Sequence, residues 1–213
     1  DRKLGVPGEG LSGVSGCIDF LTELYRGRAP DLPESVAVIG DGNAAFDLAR
    51  ALVRLGTRVT LISWFPEELI PADPAELKAA REEGITLIDR TQAIGFTGVN
   101  GRLQRLRCAR TRPGEPDASG IPWPVQIPDP EPSEIELTRA LVAIGQCGTA
   151  PFGDGCGLRT NAAGYVEVDE RCATGVPTVY AAGDAACGPS SVVRAMASGR
   201  RAAAAVHQAL TSG

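Results

Sequence analysis

Histidine, paired cysteines and lysine are scarce in this sequence, and each shortage excludes a class of chemistry. Histidine occurs once, as His207, so Ser-His-Asp mechanisms, Cys-His mechanisms and imidazole-based metal sites have almost no basis. The six cysteines include no C-x-x-C pair, the short spacing with which zinc and iron–sulfur sites usually begin. We therefore predict neither a metal site nor hydrolytic activity, and we interpret His207 as a solvated or packing residue.

The cysteines allow two interpretations. They are spread along the chain as Cys17, Cys108, Cys147, Cys156, Cys172 and Cys187. Cys147 and Cys156 are the nearest pair in sequence and could form a redox disulfide, whereas small buried thiols are the more common role of isolated cysteines. We favour buried thiols.

Lysine is limited to Lys3 and Lys78, the arginines are scattered, and the net charge is −5. A mildly acidic chain without a basic stripe is a poor binder of nucleic acid. No apolar run approaches the roughly 20 residues that cross a bilayer, and no signal-peptide core follows the first charged residues. We expect a cytoplasmic protein that binds neither nucleic acid nor membrane.

What the sequence does contain is an alternation of strand and helix patterns, which predicts an α/β protein. An almost continuous apolar run at 35–39 predicts a strand that is covered on both faces. Apolar residues at helical spacing follow it, and a second strand is predicted at 58–63. A helix at 74–83, with a proline in its first turn and a glycine after its end, leads to a third strand at 85–89.

The remaining segments carry weaker patterns. They predict, in chain order, a helix at 17–27, a hairpin of 93–99 and 103–110 around Asn100-Gly101, an exposed loop at 113–133, strands at 135–144, 165–168 and 178–182, and a helix from Ser190 or Ser191. On that last helix one stripe, which we interpret as core, is formed by Val192, Met196, Gly199, Ala203, Val206 and Leu210.

The strongest chemical motif is VAVIGDGNAAFDLAR, in which Gly40, Gly42 and Ala45 fit G-x-G-x-x-A. The first glycine permits a tight turn, the second lets a pyrophosphate approach the backbone, and the small third residue allows close packing of helix on strand. The helix that follows directs its positive dipole end at the phosphates. The motif predicts a dinucleotide site, formed by Gly40, Asp41, Gly42, Asn43, Ala44 and Ala45; the alternative is a structural glycine turn.

The end of the second strand lacks the residues that usually select the nucleotide. An acid there binds the ribose hydroxyls of NAD, and arginines bind the extra phosphate of NADP, but this chain has Ser63-Trp64-Phe65. Trp64 either stacks on the adenine or packs under the loop. The sequence therefore does not decide whether the site binds NADH or NADPH. Arg81, Arg110 and Arg112 are the arginines that could reach the extra phosphate of NADPH from elsewhere in the chain.

Near the end of the chain, VYAAGDAACGPSSVVRAMASGRRAAAAV is a second strand–loop–helix pattern. A short apolar run ends at Gly183-Asp184, and a helix follows the small-residue loop. Such a segment presents backbone N–H groups and one carboxylate to a polar ligand.

These motifs together resemble the later part of the glutamate synthase small-subunit family of FAD- and NAD(P)H-dependent oxidoreductases. The similarity runs in order along almost the whole chain, through LGVPGE, VIGDGNAAFDLAR, EELIPADPAE, EPDASG, ALVAIGQ and VYAAGDAACGPSSVVRAMASGRRAA. The wider thioredoxin-reductase-like group shares the A-x-G-D ending, but its cysteine pair in the nucleotide domain is missing here. Family members usually carry two arginines where this chain has Trp64 and Phe65.

The resemblance implies half of a flavin site in the last segment. By analogy with the family, Asp184 meets the ribitol chain of FAD, and the helix beyond it points its first residues at the pyrimidine end of the flavin. The residues implied are Gly145, Gly183, Asp184, Ser191 and Val192. In the family, an earlier region of the protein holds the ADP half of FAD, and in many members it also holds iron–sulfur clusters. We expect this chain to start, at Asp1, after that region.

These observations predict a three-layer Rossmann-type α/β domain flanked by pieces of an incomplete FAD-binding domain. We expect 1–30 to return from that domain, 31–145 to bind NAD(P)H and 146–213 to complete the flavin side. The resemblance implies hydride transfer from NAD(P)H to FAD and onward to an acceptor, with no catalytic side chain, and the chain alone is expected to be inactive.

A missing FAD and iron–sulfur region or a partner subunit is expected to complete the enzyme, and whether the chain forms a homodimer stays open. The alternative is a non-catalytic assembly domain with a decayed nucleotide site.

Overall fold

The first of two units, Asp1–Gly145, contains nine strands and three α-helices among its described residues. In chain order they are β1 (Val14–Gly16), α1 (Cys17–Tyr25), β2 (Ser35–Ile39), α2 (Asn43–Arg54), β3 (Arg58–Ile62), α3 (Pro74–Glu82), β4 (Thr86–Ile88), β5 (Thr91–Val99), β6 (Arg102–Pro113), β7 (Pro124–Gln126), β8 (Ser133–Glu136) and β9 (Ala140–Val142). A short 3-10 helix, Glu67–Leu69, precedes α3. The computed structural model describes residues 1–28, 32–128, 132–149 and 155–211.

Five parallel strands form the central sheet in the order β1-β9-β2-β3-β4. The predicted strands at 35–39, 58–63 and 85–89 are confirmed as its members β2, β3 and β4. Within it, Ile39 of β2 lies beside Ile62 of β3 and Val142 of β9. The carboxyl ends of these three strands therefore meet at one edge, which is where open parallel sheets bind ligands.

Alternate residues of the strands face two different layers. Val36, Val38 and Leu61 pack with the buried faces of α1, α2 and α3. Ile39 and Ile62 instead pack against the antiparallel sheet formed by β5, β6, β7 and β8. The result is three layers, with helices on one face of the parallel sheet and a second sheet on the other.

The predicted hairpin is confirmed in the antiparallel sheet, whereas the segments around it differ from their predictions. Asn100 and Gly101 have φ of 53° and 74°, as a tight turn between β5 and β6 requires. The predicted loop at 113–133 contains β7, and the predicted strand at 135–144 is two strands, β8 on β6 and β9 in the parallel sheet. The single-strand prediction was wrong because apolar content does not show where the chain leaves one sheet for the other.

The amino-terminal segment packs within the first unit. β1 is parallel to β9 at the sheet edge, and α1 buries Cys17 and Phe20. The predicted boundary at residues 30 and 31 lies outside the described residues, and the assignment of 1–30 to an FAD-binding domain stays a prediction.

The second unit, Gln146–Gly213, contains α4 (Asp184–Cys187) and α5 (Val192–Thr211). The predicted strands at 165–168 and 178–182 are wrong: in the described part of this unit, only the isolated bridges of Val166 with Thr160 and of Tyr180 with Ala173 occur there. None of the described helices is long and apolar enough to cross a membrane.

The predicted core stripe of the last helix is also wrong. Met196 is 64% exposed and Leu210 is 79% exposed, whereas Ser198 and Ala205 are buried. The helix packs through small residues on another face, and residue polarity alone does not reveal that choice.

Candidate functional site

The glycine loop between β2 and α2 lies at the carboxyl edge of the parallel sheet. Gly40 has φ of 141°, and its N–H donates to the Ile62 carbonyl at 3.0 Å. A Cβ at this position would lie 2.3 Å from the Ala143 carbonyl oxygen. Glycine is therefore required here by both the backbone conformation and the close approach of the chain beyond β9.

Gly42 is a glycine for a different reason. Its φ is −84°, which any residue adopts, and a Cβ would meet nothing within 4 Å. It is the N-cap of α2 and supplies no capping side chain, so the first N–H groups of this helix have no intrahelical partner. Open space, free N–H groups and the positive end of a 12-residue helix together suit a phosphate.

The other residues of the fingerprint hold the loop in place. Ala45 is fully buried in the core, and its N–H donates to the Gly42 carbonyl at 2.9 Å. The Asn43 Oδ1 atom accepts from the Asp73 N–H at 2.8 Å, which ties the start of α2 to the start of α3. Ala44 is exposed at the first turn of α2. Contacts within the protein thus hold the loop backbone in place.

A carboxylate does lie at the end of β3, but it comes from the glycine loop. The Oγ atom of fully buried Ser63 donates to Asp41 Oδ2 at 2.9 Å. Burial raises the pKa of the Asp41 carboxyl, while the Ser63 hydroxyl and the backbone N–H groups of Phe65 and Trp64 partly oppose that rise. The sequence analysis included Asp41 in the dinucleotide site but did not place its carboxylate at the end of β3, because it sought an acid in the residues after that strand.

Trp64 and Phe65 belong to an aromatic cluster with Trp123. The Trp64 ring centroid lies 5.8 Å from that of Phe65 and 6.0 Å from that of Trp123, and the Thr111 hydroxyl donates to the Trp64 carbonyl at 2.6 Å. Phe65 is only 3% exposed, whereas Trp64 is half-buried. Position 65 is therefore interior, and stacking of Trp64 on adenine stays a prediction.

The three arginines considered for the site have other neighbours or are exposed. Arg81 pairs with Glu67, Arg110 is exposed, and Arg112 donates to the carbonyl of Pro113, at 3.4 Å. In the described part of the chain none of them has a hydrogen bond or ion pair with Asp41 or Ser63.

A second stretch fits the glycine pattern without its structural setting. Gly8, Gly10 and Gly13 have the spacing G-x-G-x-x-G, but they lie in turns ahead of β1 and open no helix. A Cβ at Gly8 would lie 2.1 Å from the Phe96 carbonyl oxygen, and one at Gly13 would lie 2.5 Å from that of Thr138. These two glycines are therefore explained by packing.

The residues implied for FAD are divided between the two units. Gly145, with φ of 102°, is in the first unit, where its carbonyl accepts from the Arg2 N–H at 3.0 Å. In the second unit Gly183 has φ of 65°, and its N–H donates to the Oγ atom of buried Ser198 at 2.7 Å. Ser198, which the sequence analysis did not single out, thus fixes the Gly183 turn.

Beyond Gly183 the candidate flavin residues are open to solvent. Asp184 is exposed at the start of the four-residue helix α4. The Ser191 hydroxyl accepts from the Arg194 N–H at 3.3 Å, and Val192 is 76% exposed.

The cysteines are all free thiols. Cys17, Cys108 and Cys172 are buried, but Cys147, Cys156 and Cys187 are exposed, so the interpretation as buried thiols holds for half of them. Burial raises the pKa of Cys17 and of Cys108 to about 11, which keeps both protonated near neutral pH.

Comparison with known proteins agrees with this geometry. Residues 1–199 match the family model described as pyridine nucleotide-disulphide oxidoreductase. The chain is 36% identical to the NADP(+)-dependent formate dehydrogenase subunit beta of Moorella thermoacetica, over 99% of this chain and 30% of that protein. It is 30% identical to the glutamate synthase [NADPH] small chain of Halomonas elongata, over 93% of this chain and 45% of that protein.

A solved structure supports the fold. The thioredoxin reductase of T. acidophilum is similar with a TM-score of 0.73 at 23% identity, over 99% of this chain and 62% of that one. The chain thus spans less than half of the two curated relatives. The cofactors of the matched family are FAD and NAD(P)H. With its Rossmann-type glycine loop and this match, the chain belongs to the pyridine nucleotide-disulphide oxidoreductase family.

Proposed function

We propose that this chain is the NAD(P)H-binding portion of a flavin-dependent oxidoreductase of the glutamate synthase small-subunit type. The observation that carries the proposal is the open space over Gly42 at the start of α2. Packing and backbone conformation explain Gly40, but they do not explain Gly42, and close approach of a pyrophosphate does.

The proposed reaction needs positioning more than side-chain chemistry. NAD(P)H supplies a hydride and FAD accepts it, so the chemistry belongs to the cofactors. The N–H groups at the start of α2 would hold the pyrophosphate, and Gly40 and Ala45 keep the loop against the sheet edge. On the flavin side, Asp184 would accept from hydroxyl groups of the ribitol chain, with Ser191 and Val192 beside the flavin ring.

The remainder of a flavin site is proposed to lie outside this chain. The relatives are named as beta subunits or small chains and are more than twice as long as the matched region. We propose that an FAD and iron–sulfur region or a partner subunit completes the enzyme, and that the chain alone is colourless and inactive.

Calorimetric titration of wild type and Gly42→Val with NADH and NADPH tests the nucleotide site. The valine side chain enters open space in the free protein, so we expect the fold to be retained and the affinity for both nucleotides to fall by at least about tenfold, the loss of roughly one phosphate contact. Gly10→Val is the matched control, because a Cβ at Gly10 also meets nothing within 4 Å.

The possible outcomes separate the two functions. Equal affinity in wild type and Gly42→Val would refute the loop as the binding site. If wild type binds neither nucleotide, the alternative of an assembly domain with a decayed site replaces the proposal.

A further inference from the structure

We propose that Asp41, held by Ser63 at the carboxyl end of β3, makes this site prefer NADH to NADPH. The inference rests on the proposed function, since it concerns which nucleotide the glycine loop binds. It also departs from the relatives, whose names carry NADP(+) or NADPH.

The geometry starts from the pairing of two strands. β2 and β3 are parallel and in register up to Ile39 and Ile62, and the Gly40 N–H donates to the Ile62 carbonyl. Asp41, the second residue after β2, and Ser63, the first residue after β3, are joined by the 2.9 Å hydrogen bond. The carboxylate of Asp41 therefore lies at the end of β3.

That position is the one from which Rossmann sites distinguish the two nucleotides. A carboxylate there accepts hydrogen bonds from the ribose hydroxyls of NAD, whereas a 2′-phosphate carries about two negative charges near neutral pH. Ser63, Trp64 and Phe65 supply no acid, so Asp41 is the acid in place. It would attract the hydroxyl and repel the phosphate.

Among the described residues no arginine or lysine forms an ion pair with Asp41. Its side-chain hydrogen-bond partner is the Ser63 hydroxyl, and the other groups that favour its ionised form are the backbone N–H groups of Phe65, Trp64 and Asp41 itself, all of them neutral. Arg81 and Arg90 pair with other acids, Glu67, Glu68 and Asp89. A half-buried carboxylate that has no ion-pair partner and lies at the ligand-binding edge of a parallel sheet is typical of a functional residue.

The experiment compares the two dissociation constants of the 213-residue chain. Both tryptophans, Trp64 and Trp123, lie in one aromatic cluster, and Trp64 directly follows Ser63. Binding of the reduced nucleotide is therefore measured as quenching of tryptophan emission. We expect wild type to bind NADH at least about tenfold more tightly than NADPH, the worth of one charge-assisted hydrogen bond.

Three variants test the role of Asp41. Asp41→Asn keeps the shape and removes the charge, so we expect the two affinities to come within about threefold of each other. Ser63→Ala removes the positioning hydroxyl and should reduce the preference in part. Asp47→Asn removes an exposed charge from α2, the helix that follows the glycine loop, and should leave the ratio unchanged, because its effect on the shared pyrophosphate is common to both nucleotides.

Each outcome has one meaning. A wild type that prefers NADPH, or an Asp41→Asn ratio equal to that of wild type, would overturn the inference while leaving the nucleotide site intact. Failure of wild type to bind either nucleotide would overturn the proposed function and the inference with it. Circular dichroism of each variant, together with the Ser63→Ala result, separates loss of preference from loss of fold.

Discussion

The glycine loops at Gly40 and Gly183 have similar sequences and different structural support. Each follows an apolar run, contains an aspartate, and precedes a helix. The first loop lies on the edge of a five-stranded sheet, and its Asp41 is held by buried Ser63. The second follows an isolated bridge, and its Asp184 is exposed. The comparison teaches that a buried partner can fix the backbone of such a turn, as Ser198 does at Gly183, and still leave its aspartate open to solvent.

The largest expected difference in stability is between a buried residue of the first unit and an exposed residue of the second. Leu61, on β3, is fully buried, so Leu61→Ala should lower the free energy of unfolding by about 2–5 kcal/mol through the lost contacts and the cavity. Met196→Ala, on an exposed face of α5, should change it by no more than about 0.5 kcal/mol. Urea denaturation followed by tryptophan emission measures the first change, and circular dichroism measures both. Equal losses would show that the exposed face of α5 is packed in solution.

The same contrast explains what the sequence predicted. The elements from β2 to β4 have strong local signals, namely continuous apolar strands, a glycine turn and a helix bounded by Pro74 and Gly84. The division of 135–144 into β8 and β9 depends on a partner strand, and the buried face of α5 depends on packing through Ser198. Local hydrophobic periodicity predicts neither the division of 135–144 nor the buried face of α5.

The candidate site shows the same limit. The glycine fingerprint was readable because its requirements are local, whereas the role of Asp41 depends on a hydrogen bond to Ser63, 22 residues away. Family comparison at positions 64 and 65 also misled in part. The family pattern has arginines at both positions, but Phe65 is interior in this chain.

An intermediate effect is expected when a cation is added at the site. Trp64 is half-buried, so Trp64→Arg can place a guanidinium beside the Asp41 carboxylate and should shift the preference toward NADPH by about tenfold. Adding Phe65→Arg would put an unpaired charge in the interior, so the double variant should unfold instead of shifting further. Ratios of dissociation constants, with thermal melting of both variants, measure the two effects. A folded double variant with a further gain would show that position 65 reaches the ligand.

The smallest expected effect compares Asp41 with Asp184 in the absence of nucleotide. Since burial raises the pKa of Asp41 above its usual range, ionisation disfavours the folded state. Below the ordinary aspartate pKa the carboxyl is protonated in both states and this cost is absent. As the pH rises through that value the unfolded chain ionises first, so stability falls until the pH passes the higher pKa of the folded state.

Asp41→Asn should therefore gain stability over wild type as the pH increases from about 4 to 8, close to and above the ordinary aspartate range. Asp184→Asn, at an exposed residue, should change stability by less than about 0.5 kcal/mol throughout. Asp47→Asn controls for the loss of one negative charge from a chain of net charge −5. Urea denaturation across that pH range is the measurement, and an Asp41→Asn variant that becomes less stable than wild type as the pH rises would mean that the carboxylate serves the fold. A gain in stability together with a loss of NADH preference would instead identify Asp41 as a residue kept for the ligand at the expense of the fold.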